Sequence, residues 1–119
     1  MFPAVVLELK LEAACLFVRL KGDLDLYSVD KIKELVDHEL KRTQARLLLI
    51  DLSRVAFMDS SGLGFILGRY RHLRGKGGRV VLAAPGPQVR RVLELAGVER
   101  IIKIYDSKKA ACRAQGEVL

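Results

Sequence analysis

Leu47-Leu48-Leu49-Ile50 and Val80-Val81-Leu82-Ala83-Ala84 are two uninterrupted apolar runs of strand length. Short runs without alternation fit strands covered on both faces, as in a parallel sheet. Between them, residues 60–74 read as a helix that closes at Gly75, with Gly77-Gly78 in the turn beyond. A strand, a helix and a second parallel strand make a right-handed crossover unit. The chain is therefore read as an α/β protein.

Upstream of this unit, residues 5–11 alternate, with Leu7, Leu9 and Leu11 on one parity. Residues 15–21 alternate again through Leu16, Val18 and Leu20, so the chain opens with a β-hairpin turning at 12–14 and closed by Gly22-Asp23-Leu24-Asp25. Val29, Ile32, Leu35, Val36 and Leu40 then recur at helical spacing up to about residue 43. Ser28 is a suitable N-cap, and Asp30 lies in the first turn, where the helix dipole favours acid. Downstream, Val89, Val92, Leu93 and Ala96 mark a helix over 88–96 that ends before Gly97. A short strand at 101–105 and a last helix from Ser107 to about 115 follow. The expected architecture is one domain over residues 1–119, a mixed sheet flanked by helices, with no internal repeat or linker.

A chain of 119 residues can build one ordinary core without metal or disulfides. No apolar run reaches the roughly 20 residues of a membrane helix, and Met1-Phe2-Pro3 lacks the pattern of a signal peptide. The expectation is a soluble cytoplasmic protein. Cys15 and Cys112 stand far apart with no second pair, which gives neither zinc-ligand spacing nor a disulfide framework. The net charge of +7 can favour nucleic acid or an acidic protein surface. Arg69, Arg71, Arg74, Lys76 and Arg79 scatter around the helix axis rather than forming a stripe, and few aromatic residues interleave them, which argues against nucleic acid.

Signs of enzyme chemistry are weak. His38 and His72 sit on predicted helices outside any metal-ligand spacing and read as solvated positions. Gly68 to Lys76 departs from a phosphate-binding loop in its glycine spacing, and no Ser or Thr follows Lys76. Asp23, Asp25, Asp51 and Asp59 invite a phospho-aspartate receiver, in which carboxylates at strand ends hold magnesium. A receiver, however, alternates strand and helix from its start, and Asp51 falls within a strand. No cofactor or metal is expected.

Phe57-Met58-Asp59-Ser60-Ser61-Gly62-Leu63-Gly64 leads from a strand into the central helix, with Asp59 or Ser60 as its cap. At about 100° per residue, Leu63, Ile66, Leu67, Tyr70 and Leu73 form the core-facing arc. Ser61, Gly64, Phe65, Gly68 and His72 occupy the opposite arc. Glycine inside a helix costs about 1 kcal/mol relative to alanine, so Gly64 and Gly68 suggest a flat outer face that a partner approaches closely. An exposed Phe65 would add apolar contact there.

The same residues carry a resemblance. Gly22-Asp23-Leu24-Asp25, the run from Phe57 to Gly64, and Ile66-Leu67-Gly68-Arg69-Tyr70 resemble the anti-sigma factor antagonists of the STAS domain family over nearly the whole chain. The sporulation members that control sigma-F are nearest, and general-stress antagonists share the signature. The resemblance implies a partner switch rather than an enzyme. The unmodified protein binds an anti-sigma factor that is also a serine kinase and so releases the sigma factor; phosphorylation of the serine after the signature aspartate, here Ser60, ends binding, and a serine phosphatase restores it. It also implies partner contacts from Asp25, Asp59, Ser61, Gly64, Phe65 and Gly68. Asp25 is in addition a candidate contact for a weakly bound nucleotide. Neither nucleic acid nor membrane is an expected partner.

Overall fold

The computed structural model describes residues 2–118. Strands β1 (Val5–Glu12) and β2 (Cys15–Leu24) form the hairpin, followed by α1 (Val29–Thr43), β3 (Leu47–Met58), α2 (Ser60–Arg74), β4 (Arg79–Ala83), α3 (Pro87–Leu95), a 3-10 turn at Val98–Arg100, β5 (Lys103–Tyr105) and α4 (Lys108–Val118). The sheet order is β1-β2-β3-β4-β5. Only β1 runs antiparallel to its neighbour; the pairs from β2 to β5 are all parallel. This is the expected mixed sheet.

The two faces of the sheet are covered unequally. Leu16, Val18 and Leu20 of β2, Leu48 and Ile50 of β3, and Val80 and Leu82 of β4 pack with α1, α2 and α3 in the larger core. The opposite parity supplies Phe17, Leu49, Val81 and Ala83, which form a smaller apolar cluster with Ala111 of α4 and half-buried Cys15, Leu47 and Tyr105. Alternation along each strand thus serves two cores. Among the described residues, no helix is long and apolar enough to cross a membrane.

Several expectations change in detail. Strand β2 continues through Gly22 to Leu24 instead of stopping at residue 21. At Gly22 the backbone takes a φ of 111°, and a Cβ there would stand 2.9 Å from the carbonyl oxygens of Phe2 and Pro3. Only glycine fits where the N-terminal segment crosses. A register shift between Val6 and Glu8 breaks the single parity proposed for β1, leaving Leu7 exposed while Leu9 packs inward; Leu11, on the parity of Leu9, is exposed near the hairpin end. Leu35, assigned to the buried stripe of α1, is also exposed, whereas Ile32, Val36 and Leu40 are buried.

Strand β3 extends to Met58 because Leu52, Val55 and Met58 remain buried after the apolar run has ended. Beyond Asp51 it pairs with β2 alone. The exposed backbone edge at Met58 is instead met by Gln88 of α3, whose Oε1 accepts from the Met58 N–H at 2.9 Å while its Nε2 donates to the Met58 carbonyl at 3.0 Å. Of the last predicted strand, only 103–105 is extended, because residues 98–100 form the 3-10 turn.

The main departure concerns Phe65. It is only 5% exposed and belongs to the larger core, so the expectation of an exposed aromatic docking residue is corrected. The buried stripe of α2 is Gly62, Phe65, Ile66, Arg69 and Leu73, which is itself helically spaced. Leu63, Leu67 and Tyr70 flank it half-buried. The helix faces the sheet with one side and α1 with the next, so an arc opposite Leu63 is not opposite the core. Arg69 obscured the stripe: a cation at a buried position reads as surface. Its Nε lies 3.1 Å from Asp37 Oδ1 of α1, and its guanidinium lies 5.4 Å from the Phe65 ring centroid.

Candidate functional site

The segment from Leu24 to Ser28 and the start of α2 meet at the C-terminal ends of β2 and β3. The Asp59 N–H points to the Leu24 carbonyl at 3.4 Å, and Gly62 packs against Leu24 and Met58 so closely that no side chain fits. Unlike Gly64 and Gly68, Gly62 is a packing glycine. Its absent side chain brings the Asp25 turn against the first turn of α2.

Asp59 is the N-cap of α2, as anticipated. Its Oδ1 accepts from the Ser61 N–H at 2.8 Å and from the Gly62 N–H at 3.3 Å, and the Leu63 N–H reaches the Asp59 carbonyl. Three of the first four helix amides are therefore already engaged. Ser60 is the first residue of the helix and is exposed, whereas Ser61 is half-buried. Of the two serines, Ser60 is the more open to a second protein.

Asp25 is not the lightly held loop acid that its position suggested. It is 7% exposed, and its Oδ1 accepts from the Tyr27 N–H at 3.0 Å. Its carbonyl accepts from the N–H groups of Ser28 and Val29. Ser28 stands at the N-cap position of α1, but its side chain makes no cap; its Oγ turns back to accept from the Asp25 N–H at 3.1 Å and to donate to the Asp23 carbonyl at 2.9 Å. These bonds fix the turn and push Leu26 and Tyr27 outward, at 66% and 83% exposure. Phe57, paired in register with Asp23, is 43% exposed at the same end of the sheet. Sequence reading missed Leu26 and Tyr27 as exposed apolar residues; their place between Asp25 and Ser28, outside any periodic segment, was the available signal.

Gly64 is exposed and Gly68 half-buried, and a methyl group on either would meet nothing within 4 Å. Both are outward, as expected. Together with Ser61, Phe65, Lys33 and Arg71 they line a groove of about 300 Å3 between α1 and α2. Ser61, Gly64, Phe65 and Gly68 are thus brought together, with Phe65 forming the floor rather than the surface. Asp25, Asp59 and Ser60 lie at the adjoining strand and helix ends.

The other acids do not assemble a magnesium site. Asp51 is 2% exposed and faces the sheet side opposite α2, where its Oδ2 accepts from Arg19 Nε at 2.9 Å and its Oδ1 from the Ser53 N–H at 2.9 Å. Burial alone would raise its carboxyl, but the Ser53 and Arg19 bonds more than offset this and hold it below the usual carboxylate range. Arg19 also reaches Glu8 at 3.2 Å, so Asp51 is a structural ion-pair partner. Among the described residues, no group of three or more His, Cys, Asp or Glu side chains could hold a metal ion. His38 and His72 are exposed. The cations of residues 69–79 are dispersed, as their scatter in the sequence suggested, with Arg69 buried beside Asp37 and Arg79 bound to Gln115 of α4.

The sheet has this order, with a serine exposed at the start of the helix that follows its central strand, and the family model of the STAS domain matches residues 7–111. The chain belongs to the STAS domain family. It is 37% identical over 86% of its length to an anti-sigma F factor antagonist of Paenibacillus polymyxa, covering 87% of that protein. It is 34% identical over 70% of its length to an anti-sigma-B factor antagonist of Listeria monocytogenes, covering 72% of that protein. Among solved structures it is similar to the anti-sigma factor antagonist SpoIIAA in its unphosphorylated form, with 30% identity and a TM-score of 0.77 over 92% of this chain and 96% of that one. The phosphorylated form of the Bacillus SpoIIAA aligns with 29% identity and a TM-score of 0.71 over 90% of this chain and 97% of that one.

Proposed function

We propose that this chain is an anti-sigma factor antagonist whose surface around Ser60 binds an anti-sigma factor with serine kinase activity and thereby frees a sigma factor. Phosphorylation of Ser60 by that kinase ends binding, and a serine phosphatase restores it. The observation that carries this reading is the placement of Ser60. It stands exposed at the first position of α2, beside an Asp59 carboxylate that already accepts from the Ser61 and Gly62 N–H groups. A phosphate there adds nearly two negative charges and finds few helix amides left to neutralise it. Charge placed at a docking rim without a partner costs an interface about 2–5 kcal/mol. The relative solved in both phosphorylated and unphosphorylated forms supports the same chemistry.

The docking surface in this reading comprises Ser61, Gly64 and Gly68 along the groove, Asp25 and Asp59 at the strand ends, and the exposed Leu26, Tyr27 and Phe57. Phe65 contributes as the groove floor. Asp25 acts by fixing the turn that displays Tyr27 and is also the candidate nucleotide contact. Sigma-F in sporulation is the proposed target; the Listeria relative favours a general-stress sigma factor as the second reading.

The test is phosphorylation by the cognate kinase with ATP, followed by peptide mapping and binding measurements. Phosphate should appear on Ser60, with Ser60→Ala retaining the kinase and Ser60→Asp binding at least about a hundredfold more weakly. Gly68→Gln should fold normally and bind poorly. Phosphate on Ser61 or on an aspartate, or parental binding by Gly68→Gln, overturns the assignment. Retention by a sporulation or a stress kinase decides the sigma factor.

A further inference from the structure

We propose that the cavity on the α4 side of the sheet binds a small amphipathic carboxylate, with an aliphatic chain lying on Cys15 and Leu47 above Phe17 and Leu49 and a head group held by Arg79 and Arg46. The site lies on the sheet face away from α1, α2 and α3, near the N-terminal ends of β3 and β4, so it does not rest on the partner-switch reading.

The cavity measures about 460 Å3 and is half enclosed between the sheet, the hairpin turn and α4. That volume falls within the roughly 300–1,000 Å3 of pockets that take small organic molecules. Among the described residues α4 is the one helix on this face: Phe17 and Leu49 are nearly buried at the base of the cavity, and half-buried Cys15 and Leu47 form its open apolar floor. Cys15 and Cys112 complete the apolar wall.

Charge at the mouth selects the head group. Arg46, Arg79 and Lys108 line the cavity, and among the described residues Glu12 is its one acidic lining residue. Glu12 is already paired with Lys10 at 2.8 Å. Lys108 Nζ sits over the Phe17 ring, 3.9 Å from its centroid. Arg79 has no carboxylate partner among the described residues; its Nε and Nη2 converge at 3.1 and 2.7 Å on one neutral oxygen, Oε1 of Gln115. Two converging donors on a guanidinium fit the two oxygens of a carboxylate better than a single amide oxygen. Among the described residues the cations at the mouth outnumber the acids, and a cationic mouth above an apolar floor favours an amphipathic anion over a neutral lipid or a bare ion.

Titration calorimetry of the full chain with decanoate, decanol and acetate tests this. Decanoate should bind saturably at one site, and decanol and acetate each at least about tenfold more weakly, as expected when a charged hydrogen bond or the apolar contact is lost. Arg79→Met should weaken decanoate about tenfold while leaving decanol unchanged. Because that substitution also frees Gln115, Arg46→Met on the exposed rim supplies a second variant that leaves α4 in place and should weaken decanoate severalfold. Saturating decanoate should also slow alkylation of Cys112 by N-ethylmaleimide. Equal binding of decanoate and decanol, an unchanged alkylation rate, or association only with phosphatidylglycerol vesicles overturns the proposal.

Discussion

Gly62→Ala tests whether the approach of α2 to the Asp25 segment depends on the absence of a side chain. The added methyl would stand 2.5 Å from the Leu24 carbonyl oxygen, 2.6 Å from Met58 Cγ and 2.9 Å from Leu24 Cγ. The first obstacle is backbone and cannot rotate away, while Leu24 and Met58 are fully buried. Overpacking a closed site costs about 1–3 kcal/mol, with larger values where backbone must shift. Better helix propensity returns about 1 kcal/mol. The expected net loss is about 2 kcal/mol, or about 8 °C in Tm for a domain of this size. Gly64→Ala and Gly68→Ala meet nothing within 4 Å and should instead gain up to about 1 kcal/mol each. Urea denaturation followed by far-UV circular dichroism compares the three variants under one condition. If Gly62→Ala proved as stable as Gly68→Ala, the close contact between α2 and Leu24 would be wrong, and with it the placement of Asp25 beside the start of α2.

Phe65→Ala should lower stability by about 3–5 kcal/mol, as for other buried aromatic truncations; a variant with parental stability and reduced partner affinity would restore Phe65 to the surface. Asp51 predicts an acid dependence. Its folded carboxyl lies below the usual range, so its contribution is complete above the unfolded value near pH 4 and is lost as pH falls through the lower folded value. Asp51→Asn should therefore flatten the fall in urea midpoint below about pH 4, and an unchanged acid slope would refute the Arg19–Asp51 pairing.

Much of this fold is legible locally. The helix expected over 60–74 coincides with Ser60–Arg74, because Asp59, the apolar spacing and Gly75 all act within the segment. The two apolar runs likewise gave adjacent parallel strands. What escaped depends on distant partners. The apolar run stops at Ile50, yet Arg19 neutralises Asp51 from a neighbouring strand and the chain stays extended to Met58. Arg69 reads as a surface cation, but it lies in the buried stripe of α2 beside Asp37 of α1, next to an equally buried Phe65. Asp25 looked like a free turn acid because its partners are backbone N–H groups, which carry no sequence signature.

The candidate switch is separated from the fold by one residue. An N-cap replaced by alanine costs about 1 kcal/mol, and here that position belongs to Asp59, whose carboxylate holds the Ser61 and Gly62 amides. Ser60, one position on, makes no side-chain contact that the helix needs, and it is exposed. A group added there is free to alter docking while the cap, the Gly62 contact and the core beneath remain in place. Were the modified serine itself the cap, phosphorylation would have to displace two helix amides before it could affect a partner. With an aspartate as cap, the domain can stay folded in both states, and the fixed negative charge of Asp59 raises the electrostatic cost of each charge added beside it.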